Sequence, residues 1–363
     1  MNRFTATYRI RSDAAGIAAR ARSIAVEQSV EMPVEAIEDA GIVADVVGRV
    51  EDIADAGGGL FAVRIGLAVS TVEDDVGQLL NMLFGNASLH EDVVLADMAL
   101  PDAMLAGFGG GPGHGIAGLR ARAGAARRAL TCAAIKPQGL PAAGLAALTR
   151  RFAAGGVDFI KDDHGLADQR AAPFAARVAA CAAAARAEGT GARYVPSLSG
   201  DLDRLRREVL QARDAGVDTV MVAPMIAGFA TVRTLIRENP DLAFMAHPTM
   251  GGAARIAPEL LMGKLFRLLG ADAVVFPTYG GRFGYSAETC ARLAGNARGA
   301  WGGMHGSIPV PAGGMTLERV GEQLDFYGLE TMLLIGGGLL LARERLTEAT
   351  AAFTDAVARH IYG

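Results

Sequence analysis

Lysine is rare in this chain, and two of its lysines stand in segments that could do chemistry. The 363 residues include 35 lysines and arginines, of which three are lysines. Lys136 lies in IKPQG and Lys161 in DFIKDDHG, whereas Lys264 lies in the apolar run LLMGKLFRLLG, where we expect a helix surface. A buried lysine can lose its proton and act as a base, a nucleophile or a CO2 acceptor, which arginine cannot. We therefore predict reactive roles for Lys136 and Lys161.

The elements that must position these lysines alternate regularly through the second part of the chain. Eight short β-rich runs are each followed by a run of helix length. Eight such units in about 235 residues are typical of a TIM barrel. The predicted strands are ALTCAAIKP (129–137), VDFIKDD (157–163), RYVPSLS (193–199), DTVMVAP (218–224), LAFMAHP (242–248), AVVFP (273–277), SIPVPAGG (307–314) and TMLLIGGG (331–338).

The first part of the chain predicts a smaller α+β domain of the ferredoxin-like kind. We expect an α/β protein with this domain at 1–115 and a C-terminal (β/α)8 barrel at 116–363, joined by the glycine-rich bridge 107–118. Its predicted elements are a strand at 4–10, a helix at 14–31, a strand pair at 43–53 and 60–70 across a turn at 57–59, a helix at 72–84 and a strand at 93–101.

Composition narrows the classes of partner. A formal net charge of -4 gives no reason to expect nucleic acid or an acidic membrane surface as a partner. The apolar stretches are broken well short of the roughly 20 residues that a transmembrane helix needs. The three cysteines form no CxxC pair, and no charged-then-apolar leader precedes the first strand-like run. We expect a protein of the reducing cytoplasm.

The carboxyl ends of the predicted strands carry an unusual number of polar side chains. Catalytic residues of a TIM barrel lie at these ends. Glycines follow the seventh and eighth strands, where uncovered N–H groups can bind a phosphate. The polar residues are Lys136, Lys161, Asp162, Asp163, His164, Ser197, Ser199, His247, Thr278 and Tyr279, and the predicted phosphate glycines are Gly313, Gly314, Gly336 and Gly337.

The order of the motifs GPGHGI, IKPQG, DFIKDDHG, WGGM, PAGGM and IGGG resembles that of the ribulose-bisphosphate carboxylase (RuBisCO) large chain, and especially of the RuBisCO-like proteins of form IV. The resemblance implies that Lys161 reacts with CO2 to form a carbamate, which binds Mg2+ together with Asp163. It also implies that Lys136 moves or stabilises protons at the reacting carbon. The residues alone allow another interpretation, in which Lys161 pairs with Asp162 or Asp163 at the barrel rim.

Two residues of the N-terminal domain also match the family. Glu27 in AVEQS and Asn86 in LFGNAS resemble residues that reach the substrate in the neighbouring subunit. The resemblance therefore implies a homodimer with shared active sites. The alternative for Glu27 is a solvated helix end.

The departures from the family pattern limit the reaction. His164 stands where carboxylating enzymes have a glutamate, and Gln138 where they have a second lysine. The loop after the sixth strand has Arg282 as its one cation, Ala312 replaces a serine, and His247 replaces a phosphate-binding arginine. These changes argue against carboxylation of a bisphosphate and favour one phosphate, held by His247 and the four glycines. His164 is then either a metal ligand, for Mg2+ or another divalent ion, or an acid/base group.

The predicted reaction forms a metal-stabilised enolate or enediolate of a sugar or sugar-acid monophosphate. We expect decarboxylation or C–C cleavage of a β-keto acid phosphate of the 3-oxo-isoapionate 4-phosphate type, with Lys136 protonating the enolate carbon. One alternative is an enolase or isomerase of methionine salvage, acting on a diketone phosphate or a methylthioribulose phosphate. Asn86 stands where the enolase has its base lysine, which weakens the enolase reading. A catalytically inactive sugar-phosphate sensor is the other alternative.

Overall fold

The computed structural model describes residues 3–362, which form two compact units. The first contains the described residues up to Gly111 with Met250–Leu261 and Trp301–Gly303. The second contains Pro112–Thr249, Met262–Ala300 and the described residues from Met304 onward. Each unit has its own sheet structure.

The first unit is built on a four-stranded antiparallel sheet of order β2-β3-β1-β4. The order of strands and helices along the chain is that of a ferredoxin-like fold, as predicted. The strands are β1 (Arg3–Arg11), β2 (Arg49–Gly57), β3 (Leu60–Ala68) and β4 (Val93–Ala99). The helices are Ile17–Glu27, Ala40–Asp45, Val76–Phe84, Asp102–Gly107 and Pro258–Leu260, with 3-10 turns at Val34–Ala36, Val69–Thr71 and Asn86–Leu89.

Strand β1 shows why this sheet has a core on one face. Phe4, Ala6, Tyr8 and Ile10 are buried, while the residues between them are accessible to solvent. This period of two puts every second side chain on the same face. The buried hydroxyl of Tyr8 donates to the carbonyl of Leu83 at 2.6 Å, which joins the sheet to the helix Val76–Phe84.

One predicted strand of this unit is wrong at its start. The structure forms the helix Ala40–Asp45 where the sequence predicted extended chain from residue 43. The side chain of Asp39 accepts hydrogen bonds from the backbone N–H groups of Gly41 and Ile42, and this cap starts the helix. Strand β2 therefore begins later than expected, at Arg49.

The second unit is a TIM barrel, so the predicted fold is confirmed. Its eight strands run parallel in two four-stranded sheets, of orders β12-β5-β6-β7 and β11-β10-β9-β8. Backbone hydrogen bonds from Leu198 to Met221 and from Met221 to Pro196, both 2.8 Å, join the segment directly after β7 to β8. The strands are β5 (Leu130–Ile135), β6 (Phe159–Asp162), β7 (Arg193–Val195), β8 (Thr219–Val222), β9 (Ala243–Ala246), β10 (Ala273–Pro277), β11 (Ile308–Ala312) and β12 (Met332–Ile335).

Helices follow the strands as the alternation predicted. The fifth predicted helix contains a π-helical turn at Leu261–Leu265, in which Lys264 is partly exposed. The α-helices are Gly115–Ala123, Ala142–Ala154, Phe174–Ala187, Leu202–Asp214, Pro224–Ala227, Phe229–Glu238, Phe266–Leu269, Ala287–Arg298, Val320–Tyr327, Gly337–Leu340 and Leu346–Arg359, with 3-10 turns at Leu317–Arg319 and Arg343–Arg345.

Part of the predicted glycine-rich bridge is a helix start. The backbone N–H groups of His114 and Gly115 donate to Oδ1 of the buried Asp272 at 2.8 and 2.7 Å. This carboxylate fixes the first turn of the helix Gly115–Ala123, whose Leu119 packs into the barrel core.

No helix within residues 3–362 is both long and apolar enough to cross a membrane.

Candidate functional site

The predicted reactive residues lie at the carboxyl ends of three barrel strands. Lys136 follows β5, Lys161 lies within β6, and His247 follows β9. Asp163 and His164 open the loop after β6. Because the strands are parallel, their carboxyl ends meet at one edge of the barrel. The contacts described below join Lys136, Asp163, His164 and His247.

Asp163 is the acceptor at the centre of this group. Its Oδ1 lies 2.8 Å from Nζ of Lys136 and 3.6 Å from Nδ1 of His164. Burial alone would raise the pKa of Asp163, but the nearby His164 and the ammonium of Lys136 outweigh it and hold that pKa well below its usual range. Asp163 is therefore an ionised carboxylate that orients one ammonium group and one imidazole.

His247 is held as a neutral imidazole. Burial is the largest cause, since it disfavours the charged imidazolium and lowers the pKa of His247 to about 2. The backbone N–H of Thr249 donates to Nδ1 of His247 at 3.3 Å, and the hydroxyl oxygen of Thr249 lies 2.5 Å from the same nitrogen. A neutral ring that accepts at Nδ1 carries its proton on Nε2. The rings of His247 and His164 stack with centroids 4.6 Å apart and an interplanar angle of 12°. Thr249 is a neighbour that the sequence analysis missed.

Lys161 is a buried amine. Its Nζ donates to the backbone carbonyl of Asp162 at 2.7 Å, and among residues 3–362 it forms no ion pair. Burial lowers its pKa, since desolvation disfavours the charged ammonium. An uncharged amine is the form that reacts with CO2, so its environment favours the chemistry that the resemblance implies for Lys161.

The two aspartates after Lys161 have different environments. Asp162 is fully buried and accepts hydrogen bonds from the hydroxyl of Tyr194 (2.5 Å), Nε of Arg177 (3.1 Å) and the backbone N–H of Ser197 (3.0 Å). Because these partners hold Asp162, it takes no part in the contacts among Lys136, Asp163, His164 and His247. Sequence analysis missed this network, although alternation along a strand places Asp162 on the opposite face from its two neighbours.

The glycines after β11 support a narrow turn. Gly313 and Gly314 have φ of 81° and 108°, in the region that favours glycine. The loop after β10 packs directly on them: the N–H of Arg282 donates to the Gly313 carbonyl at 3.0 Å. A Cβ atom on Gly314 would lie 3.0 Å from Cα of Gly281. The loop with Arg282 is therefore one wall of the predicted phosphate region.

The glycines after β12 lie beside β5. A Cβ atom on Gly336 would lie 3.8 Å from Cε of Lys136, which places this glycine next to the reactive lysine. The N–H groups of Leu339 and Leu340 donate to the Gly336 carbonyl, and that of Leu341 donates to Gly337. These bonds are accepted by the glycine carbonyl groups and do not involve the glycine N–H groups. The N–H groups of Gly336 and Gly337 can therefore donate to a bound anion.

Glu27 and Asn86 contact each other in the first unit. Nδ2 of Asn86 donates to Oε1 of Glu27 at 2.8 Å. Gln28 stabilises the adjacent turn, because it accepts from the N–H of Ala87 and donates to the carbonyl of Met82. The two residues predicted to reach a partner subunit are thus presented together on one surface.

The residues offer only part of a metal site as they stand. Within residues 3–362, no group of three or more histidine, cysteine, aspartate or glutamate side chains is arranged to hold a metal ion. Asp163 and His164 are two candidate ligands, and a carbamate on Lys161 would add oxygen ligands, which Mg2+ prefers. The residues therefore fit the predicted ion only if Lys161 is carbamylated.

Fold and site together define a TIM-barrel enzyme whose lysines, carboxylate and imidazoles meet at the strand ends. The model of the ribulose bisphosphate carboxylase large chain, catalytic domain, matches residues 115–343. The chain belongs to the RuBisCO large-chain family, and specifically to its RuBisCO-like proteins.

Individual relatives are similar over three quarters of the chain or more. A 5-methylthioribulose-1-phosphate isomerase of Rhodospirillum rubrum is 58% identical, over 98% of this chain and 96% of its own. A 2,3-diketo-5-methylthiopentyl-1-phosphate enolase of Geobacillus thermodenitrificans is 32% identical, over 76% of this chain and 70% of its own. The crystal structure of a RuBisCO-like protein from Rhodopseudomonas palustris has a TM-score of 0.92 at 51% identity, covering 99% of this chain and 98% of its own.

Proposed function

We propose that this protein isomerises 5-methylthioribulose 1-phosphate, or a ketose monophosphate very close to it, by proton transfer through an enediolate. The 58% identity to the isomerase supports this reaction over the β-keto acid decarboxylation that the sequence analysis favoured. The observation that carries the proposal is one carboxylate, Asp163, orienting both Lys136 and His164, with His164 stacked on a neutral His247.

The proposed reaction needs a group that accepts a proton and a group that returns it. His164 takes the proton from the carbon next to the carbonyl, while Asp163 orients its ring and stabilises the imidazolium that forms. The electrons of the broken C–H bond move to the carbonyl oxygen and give an enediolate. The ammonium of Lys136 then protonates the former carbonyl carbon, while the hydroxyl of the neighbouring carbon passes its proton to the charged oxygen and becomes the new carbonyl. Exchange with solvent returns His164 and Lys136 to their starting forms, so atoms and electrons balance without a co-reactant.

The other polar groups stabilise the charge that develops. Nε2–H of His247 donates to an enediolate oxygen, because a neutral imidazole adds a hydrogen bond without competing for the proton. The ammonium of Lys136 offers a second positive donor on the β5 side of the substrate. Gly313, Gly314, Gly336 and Gly337 bind the phosphate through their N–H groups.

We also propose that the protein uses Mg2+, or another divalent ion, with Lys161 as a carbamate. The carbamate and Asp163 would hold the ion, which would stabilise negative charge on the substrate oxygens, while His164 remains free to act as the base. In a proposed homodimer, Glu27 and Asn86 of one protomer complete the site of its partner. Asn86 cannot take up a proton, so the enolase reaction is less well supported than the isomerisation.

The test is solvent exchange during turnover. The protein with Mg2+ and bicarbonate is incubated with 5-methylthioribulose 1-phosphate in D2O, and the products are followed by 1H and 13C NMR. We expect a new isomer carrying solvent deuterium. His164→Gln should lower kcat by about 100-fold or more, whereas His90→Gln, in the first unit, should leave kcat unchanged.

Two results would contradict the proposal. Release of CO2 from 3-oxo-isoapionate 4-phosphate, without isomerisation of the ketose, would restore the decarboxylase reading. Saturable binding of sugar phosphates without turnover of either substrate would favour the sensor.

A further inference from the structure

The carboxyl end of β6 rests on a buried ion pair that takes no direct part in the proposed reaction. Nε of Arg177 donates to Oδ2 of Asp162 at 3.1 Å, and both side chains are inaccessible to solvent. The other oxygen of Asp162 accepts from the hydroxyl of Tyr194 at 2.5 Å. Asp162 lies between Lys161 and Asp163 in the sequence. The ion pair therefore fixes the piece of backbone that carries both reactive residues.

Arg177 also binds the loop that follows, residues 163–173, here named the β6 loop. Its Nη1 donates to the carbonyls of Ala167 (2.5 Å) and Ala172 (2.9 Å). The guanidinium lies over the ring of Phe174, 5.3 Å from its centroid. One planar side chain thus connects the strand end to two points of the β6 loop, which a lysine cannot reproduce.

The β6 loop is also cross-linked within itself. Nε2 of Gln169 donates to the Gly165 carbonyl at 2.6 Å, and Oε1 of Gln169 accepts from the N–H of Ala167 at 2.8 Å. Oδ1 of Asp168 accepts from the N–H of Phe174 at 2.7 Å. Because these bonds make the loop a unit, a shift at its anchor moves the whole loop.

We propose that Asp162, Arg177 and Tyr194 are positioning residues, which act by holding the β6 loop so that Asp163 and His164 keep their places. None of the three touches the substrate in this scheme. A displacement of about 1 Å at reacting groups can cost about 100-fold in rate. The kinetic part of the test rests on the proposed isomerase function, whereas the spectroscopic part does not.

The chain offers a matched control at the other end of the same strand. Arg128 donates to both oxygens of Asp158, at 2.7 and 2.6 Å, and Asp158 directly precedes β6. This pair also joins arginine to a buried aspartate, but it lies at the amino end of the barrel, away from the reactive group. Arg128→Lys therefore controls for Arg177→Lys. Tyr8→Phe, which removes a buried hydroxyl in the first unit, controls for Tyr194→Phe.

The kinetic experiment compares kcat and KM of the four variants with those of the wild-type protein. We expect Arg177→Lys to lower kcat by about 100-fold and Tyr194→Phe by about tenfold, with KM changed less than about threefold, because the substrate contacts remain. Both controls should keep kcat. Equal losses in Arg177→Lys and Arg128→Lys, or full kcat in Tyr194→Phe, would overturn the proposal. If Arg177→Lys does not fold, Tyr194→Phe decides.

The second readout needs no turnover. In protein labelled with 15N-histidine, the imidazole resonances of His164 and His247 report their stacking. We expect both to shift in Arg177→Lys and Tyr194→Phe and to stay in place in Arg128→Lys. Absence of isomerase activity in the wild-type protein would contradict the proposed function. These resonances would still test whether the three residues position Asp163 and His164. Unchanged resonances in folded Tyr194→Phe would overturn it.

Discussion

Replacing Gly314 by alanine tests whether the loop after β10 and the glycines after β11 form one phosphate-binding unit. Gly314 has φ of 108°, and a Cβ atom there would lie 3.0 Å from Cα of Gly281 and 3.1 Å from the backbone N of Arg282. Both neighbours are backbone atoms, so they cannot move aside as a flexible side chain would. We predict that Gly314→Ala both destabilises the protein and pushes this loop away from Gly313.

The expected loss of folding free energy in Gly314→Ala has two parts. A non-glycine residue at this φ costs about 1–3 kcal/mol of folding free energy. The contacts with Gly281 and Arg282 add overpacking, which costs about 1–3 kcal/mol where the backbone must shift. A displaced loop also breaks the hydrogen bond from Arg282 to the Gly313 carbonyl, so we expect KM for the phosphorylated ketose to rise by about tenfold, which is a loss of about 1.4 kcal/mol of binding.

The variant Gly328→Ala separates the cost of the backbone conformation from the cost of overpacking. Gly328 has φ of 75°, and a Cβ atom there would meet nothing within 4 Å. This variant should therefore lose only the backbone cost and should keep its KM. Urea unfolding gives the free energies, and steady-state kinetics gives KM. If Gly314→Ala is no less stable than Gly328→Ala and its KM is unchanged, the packing argument is refuted.

Three further predictions concern protonation and reactivity. The lowered pKa of His247, about 2, disfavours its protonated form in the folded protein. Stability is therefore complete above the unfolded pKa of about 6.5 and falls below it, by about 2 kcal/mol at pH 5; urea unfolding should show that His247→Gln removes this loss. Burial raises the pKa values of Cys132 and Cys181 to about 12 and also raises that of Cys290, so a thiol reagent at about pH 8 should label them only after unfolding. A 13C carbamate resonance formed with 13C-bicarbonate and Mg2+ should vanish in Lys161→Ala; its absence from the wild type would remove the proposed metal ligand.

The sequence could predict the barrel because its signals are local. Each strand is a short apolar run that ends in proline, glycine or a polar residue, and each is followed by a helix-length segment. Once the strands are known to be parallel, their carboxyl ends share one edge, and Lys136 and His247 must lie on the same face of the barrel. The side-chain contacts did not need to be known for this inference.

The start of β2 and the partners of the site residues depend on information that a linear pattern lacks. Asp39 caps a helix because its carboxylate meets two free N–H groups, and this competes with the strand propensity of the valines that follow. Arg177 lies fifteen residues beyond Asp162, on a different element. Only the helix packing on the barrel shows that the two side chains meet.

The different environments of the two aspartates after Lys161 follow from strand alternation, which can be seen in the sequence. Asp162 ends β6, and alternation sends its side chain towards the surrounding helices, where Arg177 lies. Lys161 and Asp163 share the other face, which explains why Asp163 rather than Asp162 meets Lys136. The motif KDD thus contains one positioning carboxylate and one carboxylate of the reactive group.

The arrangement around Asp163 also bears on the choice between isomerisation and decarboxylation. Loss of CO2 from a β-keto acid leaves an enolate directly, so it needs a proton donor but no base. Isomerisation must first remove a proton from carbon, which requires an acceptor of adequate basicity close to a group that stabilises its charged form. In the proposed isomerisation His164, beside the carboxylate of Asp163, is that acceptor, and a decarboxylase would not need it. His164→Gln should therefore abolish isomerisation, whereas a decarboxylase built on Lys136 alone would retain most of its rate of CO2 release.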